Sequence, residues 1–231
     1  GLEELVSKSI SEKKLGFTTD IKKAVSGAKV IWVTYDTPVD EDDRADVDFV
    51  IERVSRLFPE LEAGQQILIS SQLPVGSARR LETMLEESRP NLGVSFSCSP
   101  ENLRLGKAIS VFTEPDRVVI GVRNEESKTA FSELLSPFTE RIEWMSVESA
   151  EMTKHALNAF LATSVTFINE IAVICEQVGA DAKEVERGLK TEARIGLKAY
   201  LGPGGAFAGG TLARDVAFLT QLSKQYDVPV R

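Results

Sequence analysis

A chain of 231 residues is long enough to bury a hydrophobic core and fits one large domain or two small ones. Its 42% hydrophobic and 27% charged residues are ordinary for a soluble globular protein. A formal net charge of -8 argues against binding to a nucleic-acid backbone, because that binding depends on Lys and Arg neutralising phosphates. A local basic pocket would still be enough for a single nucleotide.

The cysteine pattern and the apolar segments predict a cytoplasmic protein. Cys98 and Cys175 lie far apart and lack CxxC spacing, so we predict neither a metal site nor a disulfide, and we expect two buried thiols. Residues 156–175 are apolar enough to suggest a membrane helix. Three polar residues inside that stretch make insertion costly, so we expect a buried helix and no membrane contact: Asn158, Asn169 and Glu170.

Strands alternate with helices in the first part of the chain. After two short helices come five strand-like runs, namely VIWVTYDTP, GQQILISSQLPVGS, GVSFSCSP, DRVVIGV and IEWMSV. Helices of 10 to 15 residues separate several of them, including SARRLETMLEES, for which Ser77 is the expected N-cap. This pattern predicts an α/β fold with a mostly parallel sheet and helices on both faces.

The pattern becomes helical after residue 147. Residues 149–178 contain neither proline nor glycine and are apolar on most of the helical circumference, which predicts one long helix buried nearly all round. A helix with Asp181 as N-cap follows, then a glycine-rich loop at 202–210 and a last helix. We therefore predict an α/β domain at 1–147 and an all-helical domain at 148–231.

Loops at the carboxyl ends of strands are where an open α/β sheet binds ligands. Four candidate loops are residues 35–38, 71–76, 99–104 and the glycine loop near Gly209. Each of them alone is also consistent with ordinary turn formation. No GxGxxG follows a strand, so the usual phosphate-binding turn of a dinucleotide fold is missing from these residues.

The long helix carries a polar stripe. Glu151, Lys154 and Asn158 are spaced i, i+3 and i+7, which puts them on one face. The stripe indicates either an internal Glu151–Lys154 ion pair or a lysine and an amide that face a cleft. His155 lies one residue off this stripe and reads as a solvated or packing residue.

These segments occur in an order that resembles a known family. SxxPVGS at Ser71, SPENLRLGKAI at Ser99, PDRVVIG at Pro115, EMTKHALNAFLATSVTFINEIAVICEQVGAD at Glu151 and the loop ending in Arg214-Asp215 are similar to the UDP-glucose/GDP-mannose dehydrogenases. The resemblance extends over essentially the whole chain. It implies a partial Rossmann-type NAD-binding domain followed by the central helical domain. The family's first βαβ unit would precede Gly1, and its carboxyl-terminal domain would follow Arg231.

The resemblance also implies a reaction and an assembly. Such enzymes oxidise the C6 alcohol of a UDP- or GDP-sugar to a carboxylate through an aldehyde, with two NAD, and commonly dimerise through the central domain. A homodimer and a nucleotide-sugar substrate are therefore expected.

Site roles are implied position by position. Glu101 corresponds to an acid near the reacting carbon, Lys154 and Asn158 to groups that stabilise an oxyanion, and Asp215 to a residue that organises water or proton transfer. The implied NAD contacts are Thr37, Pro38, Gln72, Glu101 and Arg214. The implied substrate contacts are Asn102, Leu103, Arg104, Phe207 and Gly209.

The chain departs from the family at its nucleophile. The family loop reads GGSCFPKD, and alignment back from Asp215 puts its cysteine on Thr211 and its lysine on Arg214. The threonine of the family's STVPVG loop falls on Gln72. A thiolate traps the aldehyde as a thiohemiacetal, whereas a threonine hydroxyl is a much weaker nucleophile at neutral pH.

Three functions remain open on this reasoning. The first is an NAD-dependent nucleotide-sugar dehydrogenase with altered second-step chemistry, favoured by Glu101, Lys154, Asn158 and Asp215. The second is a catalytically silent relative that binds NAD or a nucleotide sugar, or scaffolds a dimer. The third is an alcohol dehydrogenase of the 6-phosphogluconate dehydrogenase type that stops after one hydride. In the first case the 99–104 and 202–210 loops should converge on the Lys154/Asn158 face.

Overall fold

The computed structural model describes residues 1–41, 44–101, 103, 106–206 and 210–229, with backbone only at residues 210 and 211. It divides into two compact units. Unit 1 contains Gly1–Pro38 and Asp46–Met152, and unit 2 contains Val39–Ala45 and Thr153–Arg231.

Five strands of the described chain form one sheet in the sequential order β1 to β5. The strands are β1 Val30–Val33, β2 Gln66–Ile69, β3 Ser95–Cys98, β4 Val118–Gly121 and β5 Ile142–Met145. All five strand-like runs of the sequence thus contain a strand.

The sheet is mixed. β1, β2 and β3 are parallel neighbours, as are β4 and β5, but β3 and β4 pair antiparallel through Cys98 and Gly121. Alternation of strands and helices predicts parallel pairing, but it leaves open whether the chain crosses the sheet before the next strand. Here the chain leaves β3 at one edge of the sheet and enters β4 at that same edge, so β4 runs in the opposite direction to β3.

The helices of unit 1 flank both faces of the sheet, as predicted. They are α1 Leu2–Ser11, α2 Ile21–Val25, α3 Val47–Ser55, α4 Ser77–Ser88, α5 Ala108–Thr113 and α6 Glu125–Leu135, with a 3-10 turn at Phe58–Glu60. Ile67 and Ile69 of β2 belong to one buried cluster, and Leu68 belongs to the other. β2 is buried along its whole length because it contributes side chains to both clusters.

Three further helices follow the sheet. They are α7 Val147–Val178, α8 Ala182–Thr191 and α9 Gly210–Gln225. The boundary between the two units falls within α7, after Met152. Asp181 caps α8 as predicted, since its carboxylate accepts from the backbone N–H groups of Lys183 and Glu184.

The prediction that α7 is buried nearly all round is wrong. One stripe is buried, and it comprises Val147, Ala150, Glu151, His155, Asn158, Ala162, Val165, Ile168 and Cys175. Other apolar side chains of the helix are exposed, namely Leu157, Phe160, Phe167, Val173, Ile174 and Val178. The sequence shows that apolar residues surround the helix, but it does not show which of them other elements cover.

Candidate active site

Side-chain hydrogen bonds tie together the carboxyl ends of β1, β2 and β3. Trp32 Nε1 donates to Ser70 Oγ at 2.8 Å, and Ser70 Oγ donates to the carbonyl of Ser99 at 2.7 Å. Ser71 Oγ donates to the carbonyl of Tyr35 at 2.7 Å. The three loops predicted from the sequence therefore lie at one edge of the sheet, where open α/β folds bind ligands.

Thr37 and Gln72 meet at this edge. Thr37 is buried, and its Oγ1 donates to the carbonyl of Gln72 at 2.7 Å. Pro38 follows as an exposed residue. Four of the five predicted cofactor contacts, Glu101 included, thus belong to unit 1, while Arg214 belongs to α9 in unit 2.

Glu101 lies in the loop after β3. It is exposed, and its Oε2 accepts the backbone N–H of Leu103 at 2.6 Å. Leu103 is itself exposed. Asn102 and Arg104 fall outside the described residues.

Glu151 caps helix α4 from a distance in sequence. Its carboxylate accepts the backbone N–H groups of Gly76 at 2.7 Å and Ala78 at 3.0 Å. Those two bonds account for its burial without an ion pair to Lys154. Burial raises the pKa of Glu151, and the two backbone bonds oppose that rise.

The prediction of Ser77 as N-cap is wrong. The N-cap is Gly76, with a positive φ of 95°, and Ser77 is the first helical residue. Ser77 Oγ donates to the carbonyl of Pro74 instead. Sequence-local capping rules do not register a carboxylate supplied by another helix.

The same cap limits how these residues fit NAD. A helix N-terminus at the strand ends is where a pyrophosphate ordinarily binds. At the N-terminus of α4, however, the backbone N–H groups of Gly76 and Ala78 already donate to the Glu151 carboxylate. The edge formed by Thr37, Pro38 and Gln72 stays the predicted contact for the cofactor. The pyrophosphate cradle has to come from other residues.

A charge network with no signal in the sequence pattern joins α4 to the start of α7. Arg123 binds both carboxylate oxygens of Glu82, at 2.8 and 3.0 Å, and Oε2 of Glu148 at 2.8 Å. Arg79 also binds Glu148, at 2.5 Å. The Arg123 hydrogen bond lowers the pKa of Glu148 to about 2. Partial burial disfavours the Arg123 cation, but its bonds to the two carboxylates raise its pKa above the ordinary value.

Unit 2 holds a buried polar cluster between α7 and α9. Asp215 on α9 is fully buried, its Oδ1 lies 2.5 Å from Nδ1 of His155, and its Oδ2 accepts the amide Nδ2 of Asn158. The structure thus brings together Asn158 and Asp215, two of the predicted catalytic residues. Lys154 is partly buried one helical turn before Asn158.

His155 is the polar residue of α7 whose role the helical pattern did not show. It is 1% exposed, so the solvated alternative is wrong, and it is more than a packing residue because it binds Asp215. Its spacing with Glu151 and Asn158 is i, i+4 and i+7, which matches a helical stripe as well as the spacing of Lys154 does. That spacing was the available signal, but its partner on α9 could not be identified from sequence.

The position that the resemblance aligns with the family nucleophile lies at the start of α9. Thr211 occupies the first turn of that helix, and its side chain is outside the described atoms. Arg214, three residues on, is partly buried. Phe207 and Gly209 fall outside the described residues, so their predicted substrate contacts stay predictions.

The described part of the glycine loop is held by one amide side chain. Asn169 Oδ1 accepts the backbone N–H of Gly204 at 3.0 Å, and its Nδ2 donates to the carbonyl of Gly205 at 3.3 Å. This pairing connects the middle of α7 to the segment that leads into α9.

Neither cysteine replaces the family nucleophile. Cys98 and Cys175 are free and buried, as predicted. Burial, and then the nearby charge of Glu151, raise the pKa of Cys98 well above the ordinary value, which disfavours the reactive thiolate. Among the described residues, no cluster of His, Cys, Asp and Glu side chains could hold a metal ion.

Helix α7 is also long and apolar enough to cross a membrane, judged by length and composition alone. Its most apolar 18-residue window has a mean hydropathy of 1.5. This is weak evidence, since core helices of soluble proteins meet the same criterion.

Comparison with known proteins accounts for both units. The NAD binding domain model of the UDP-glucose/GDP-mannose dehydrogenase family matches residues 1–139, and the central domain model of that family matches residues 148–231. The UDP-glucose 6-dehydrogenase of Rhizobium meliloti is 34% identical over 237 residues, which cover 100% of this chain and 54% of that protein. The UDP-glucose 6-dehydrogenase TuaD of Bacillus subtilis is 34% identical over 232 residues, covering 100% of this chain and 50% of that protein.

A solved structure agrees. The UDP-glucose dehydrogenase of Pyrobaculum islandicum superposes with a TM-score of 0.88 at 25% identity, covering 99% of this chain and 54% of that one. The chain spans about half the length of the curated relatives it matches. Two family models that between them match most of the chain, and relatives above 30% identity, lead to one conclusion: the chain belongs to the UDP-glucose/GDP-mannose dehydrogenase family.

Proposed function

We propose that the full-length protein oxidises the C6 alcohol of a UDP- or GDP-sugar with NAD and releases more aldehyde than an enzyme with the family cysteine does. The observation that carries this proposal is the buried Asn158–Asp215 hydrogen bond. Burying a carboxylate is costly unless it is paired, and a packing role alone does not require one there.

NAD, when bound, accepts the hydride from the sugar. The protein's part is to hold the alcohol and to stabilise the charge that develops on its oxygen. Lys154 supplies a cation and Asn158 an amide donor for that oxygen, in the manner of an oxyanion hole. Glu101 is exposed at the strand-end edge, where a base or a bound water would act.

For these groups to act on one substrate, the 99–104 and 202–210 loops have to converge on the Lys154/Asn158 face of α7. We propose that they do. A cross-link or a crystal structure with substrate that places Glu101 far from Lys154 would rule out this arrangement.

The second oxidation is where the chain departs from its family. Thr211 cannot form a thioester, so the aldehyde has to react as its hydrate or leave the enzyme. The assay measures NADH formed per sugar consumed, with the aldehyde trapped by a hydrazine, across a panel of UDP- and GDP-sugars. We expect fewer than two NADH per sugar and a trapped aldehyde.

Other outcomes select the alternatives. No NADH with any sugar of the panel would favour the silent relative. One NADH per substrate with a small hydroxy acid and none with a nucleotide sugar would favour the single-step dehydrogenase. Two NADH with no trapped aldehyde would show that the lost cysteine matters less than its chemistry suggests.

We also propose that the protein is a cytoplasmic homodimer, without nucleic-acid or membrane partners, that pairs through α7. Phe160, Phe167 and Ile174 are exposed and recur every seven residues, the spacing of a helix seam that packs on another helix. A membrane span would have to accommodate the buried polar side of the same helix, which carries His155 and Asn158.

A further inference from the structure

The carboxylate of Asp215 is held by two side chains of α7. His155 Nδ1 lies 2.5 Å from Oδ1, and Asn158 Nδ2 donates to Oδ2. The three side chains are 1%, 0% and 5% exposed for His155, Asp215 and Asn158. The backbone N–H groups inside α7 and α9 already donate to carbonyls of the preceding helical turn. Side chains therefore have to supply the hydrogen-bond donors that the Asp215 carboxylate needs.

The bond to Asp215 determines which nitrogen of His155 carries a proton. A carboxylate only accepts, so Nδ1 has to be the protonated nitrogen whether the imidazole is neutral or cationic. The ring is held in place by Phe218, which lies one turn after Asp215 and packs edge-on at 5.4 Å between centroids and 79° between planes. These two contacts of His155, with Asp215 and with Phe218, both come from α9.

Asp215 in turn determines the orientation of the Asn158 amide. A carboxamide has two orientations that exchange its oxygen and its nitrogen, and a carboxylate accepts only from the nitrogen. One N–H of Asn158 is thus directed at Asp215, which leaves its second N–H and its oxygen for other partners.

We propose that His155 is a positioning residue of the dehydrogenase reaction, acting through Asp215 to hold the amide of Asn158 in its catalytic orientation. The kinetic part of this inference rests on the proposed function. The hydrogen-bonded relay from His155 to Asp215 to Asn158 stands on the geometry of unit 2 alone.

The relay is tested by NMR on this chain, which contains a single histidine. Histidine-selective ¹⁵N labelling then reports only on His155. We expect a proton on Nδ1, with its ¹H resonance shifted far downfield, and a clear upfield shift in Asp215→Asn. An unprotonated Nδ1, or a resonance that ignores the Asp215 substitution, would overturn the relay.

The positioning role is tested by kinetics on the full-length protein. His155→Phe keeps a ring against Phe218 and removes the donor, whereas His155→Asn keeps an N–H donor near the place of Nδ1. We expect His155→Phe to lower kcat about 10- to 100-fold with little change in the KM for the sugar, the range typical of lost supporting hydrogen bonds. His155→Asn should recover much of that loss.

Ile168→Val is the matched control, because Ile168 lies in the same buried stripe of α7 without a polar role. It should lower the melting temperature and leave kcat unchanged. Wild-type kcat in His155→Phe, or equal losses in His155→Phe and His155→Asn, would overturn the positioning role. If His155→Phe does not fold, the comparison of His155→Asn with wild type and the NMR arm still decide.

The two proposals fail in different ways. A wild-type protein that oxidises no nucleotide sugar contradicts the proposed function and with it the kinetic role, while the NMR result decides the relay independently. An active wild type with an unaffected His155→Phe contradicts only the inference about His155.

Discussion

At the scale of single residues, the sequence indicated which polar side chains to consider but not which contacts they make. Asn158 and Asp215 were predicted as site residues through the family resemblance, and they hydrogen-bond in the structure. Glu151 was predicted to belong to a polar stripe, but its role as a cap for α4 depends on two N–H groups more than 70 residues earlier in the chain. Contacts that span two elements are invisible to a pattern within one helix.

Thr211→Cys tests the prediction that Thr211 occupies the position of the family's catalytic cysteine. A cysteine there should raise the rate of aldehyde oxidation in the full-length protein, because a thiolate opens the thioester route. The measurement is the ratio of NADH to sugar, which should rise toward two, while trapped aldehyde falls. Thr211→Ser provides the matched control and should leave the ratio unchanged. If Thr211→Cys leaves the ratio of NADH to sugar at the wild-type value, the alignment at Thr211 is wrong.

Glu148→Gln tests the charge network around Arg123. The pKa of Glu148 is lowered to about 2 from an ordinary value of 4.5, so its charge stabilises the fold above pH 4.5 and this contribution is lost as the pH falls toward 2. Glu148→Gln should therefore be less stable than wild type at pH 7, and the difference should shrink through that window. Urea unfolding at a series of pH values measures it.

Glu140→Gln, at an exposed carboxylate, is the control for the loss of one negative charge. It should change the free energy of unfolding little at any of these pH values. A difference between Glu148→Gln and wild type that stays constant from pH 7 to pH 2 would contradict the role assigned to the charge.

At the scale of elements, the long and strongly patterned segments were predictable and the short ones were not. The five strands and the helices α4, α6, α7, α8 and α9 follow from hydrophobic periodicity and turn residues. Helix α5 and the 3-10 turn at Phe58–Glu60 were missed, because six and three residues are too few to show a helical period. The antiparallel direction of β4 was also beyond a pattern of alternating elements.

Gly121→Ala tests the packing between β4 and the start of α7. A Cβ at Gly121 would lie 2.6 Å from Cα of Val147 and 2.7 Å from the carbonyl oxygen of Ser146, so backbone would have to move. We expect a loss of about 1–3 kcal/mol in the free energy of unfolding, or more, as is typical of overpacking. Chemical denaturation measures it.

Gly188→Ala is the opposite control. Gly188 lies inside α8 with nothing within 4 Å of an added Cβ. Alanine should stabilise that helix by about 0.5–1 kcal/mol, because glycine is a poor helix former. Equal effects of the two substitutions would show that the close approach at Gly121 does not matter.

At the scale of the whole molecule, composition predicted a protein with a hydrophobic core, but the apolar circumference of α7 led to too high an estimate of how much of that helix is buried. Phe160 is 71% exposed on that helix. A large exposed aromatic side chain in line with other apolar residues is typical of an interaction surface. The family resemblance and the exposed seam independently favour a homodimer.

Phe160→Glu tests this assembly. A charge in the centre of the seam should dissociate the dimer, because burying an unpaired carboxylate at an interface is costly. Sedimentation velocity should show a dimer for wild type and a monomer for Phe160→Glu at the same concentration. Lys183→Glu, which reverses an exposed charge on α8, should remain dimeric. A monomeric wild type at high concentration would contradict the proposal.

The cap that Glu151 provides for α4 has a consequence for dissecting the protein into separately expressed pieces. A piece that stops at residue 147, where the composition changes, omits Glu151 and exposes the N–H groups of Gly76 and Ala78. A piece that ends at Met152, the last residue of unit 1, retains it. The longer piece should be more stable by more than the roughly 1 kcal/mol typical of a helix cap, because it also regains Glu148, which binds Arg123 and Arg79. The cap itself is tested by hydrogen exchange, since only the longer piece should protect those two amides. Equal exchange in both pieces would mean that the cap does not form in isolation. A separately expressed sheet domain should therefore end at Met152, inside α7, so that it keeps the capping side chain of Glu151, and not at Val147, where α7 begins.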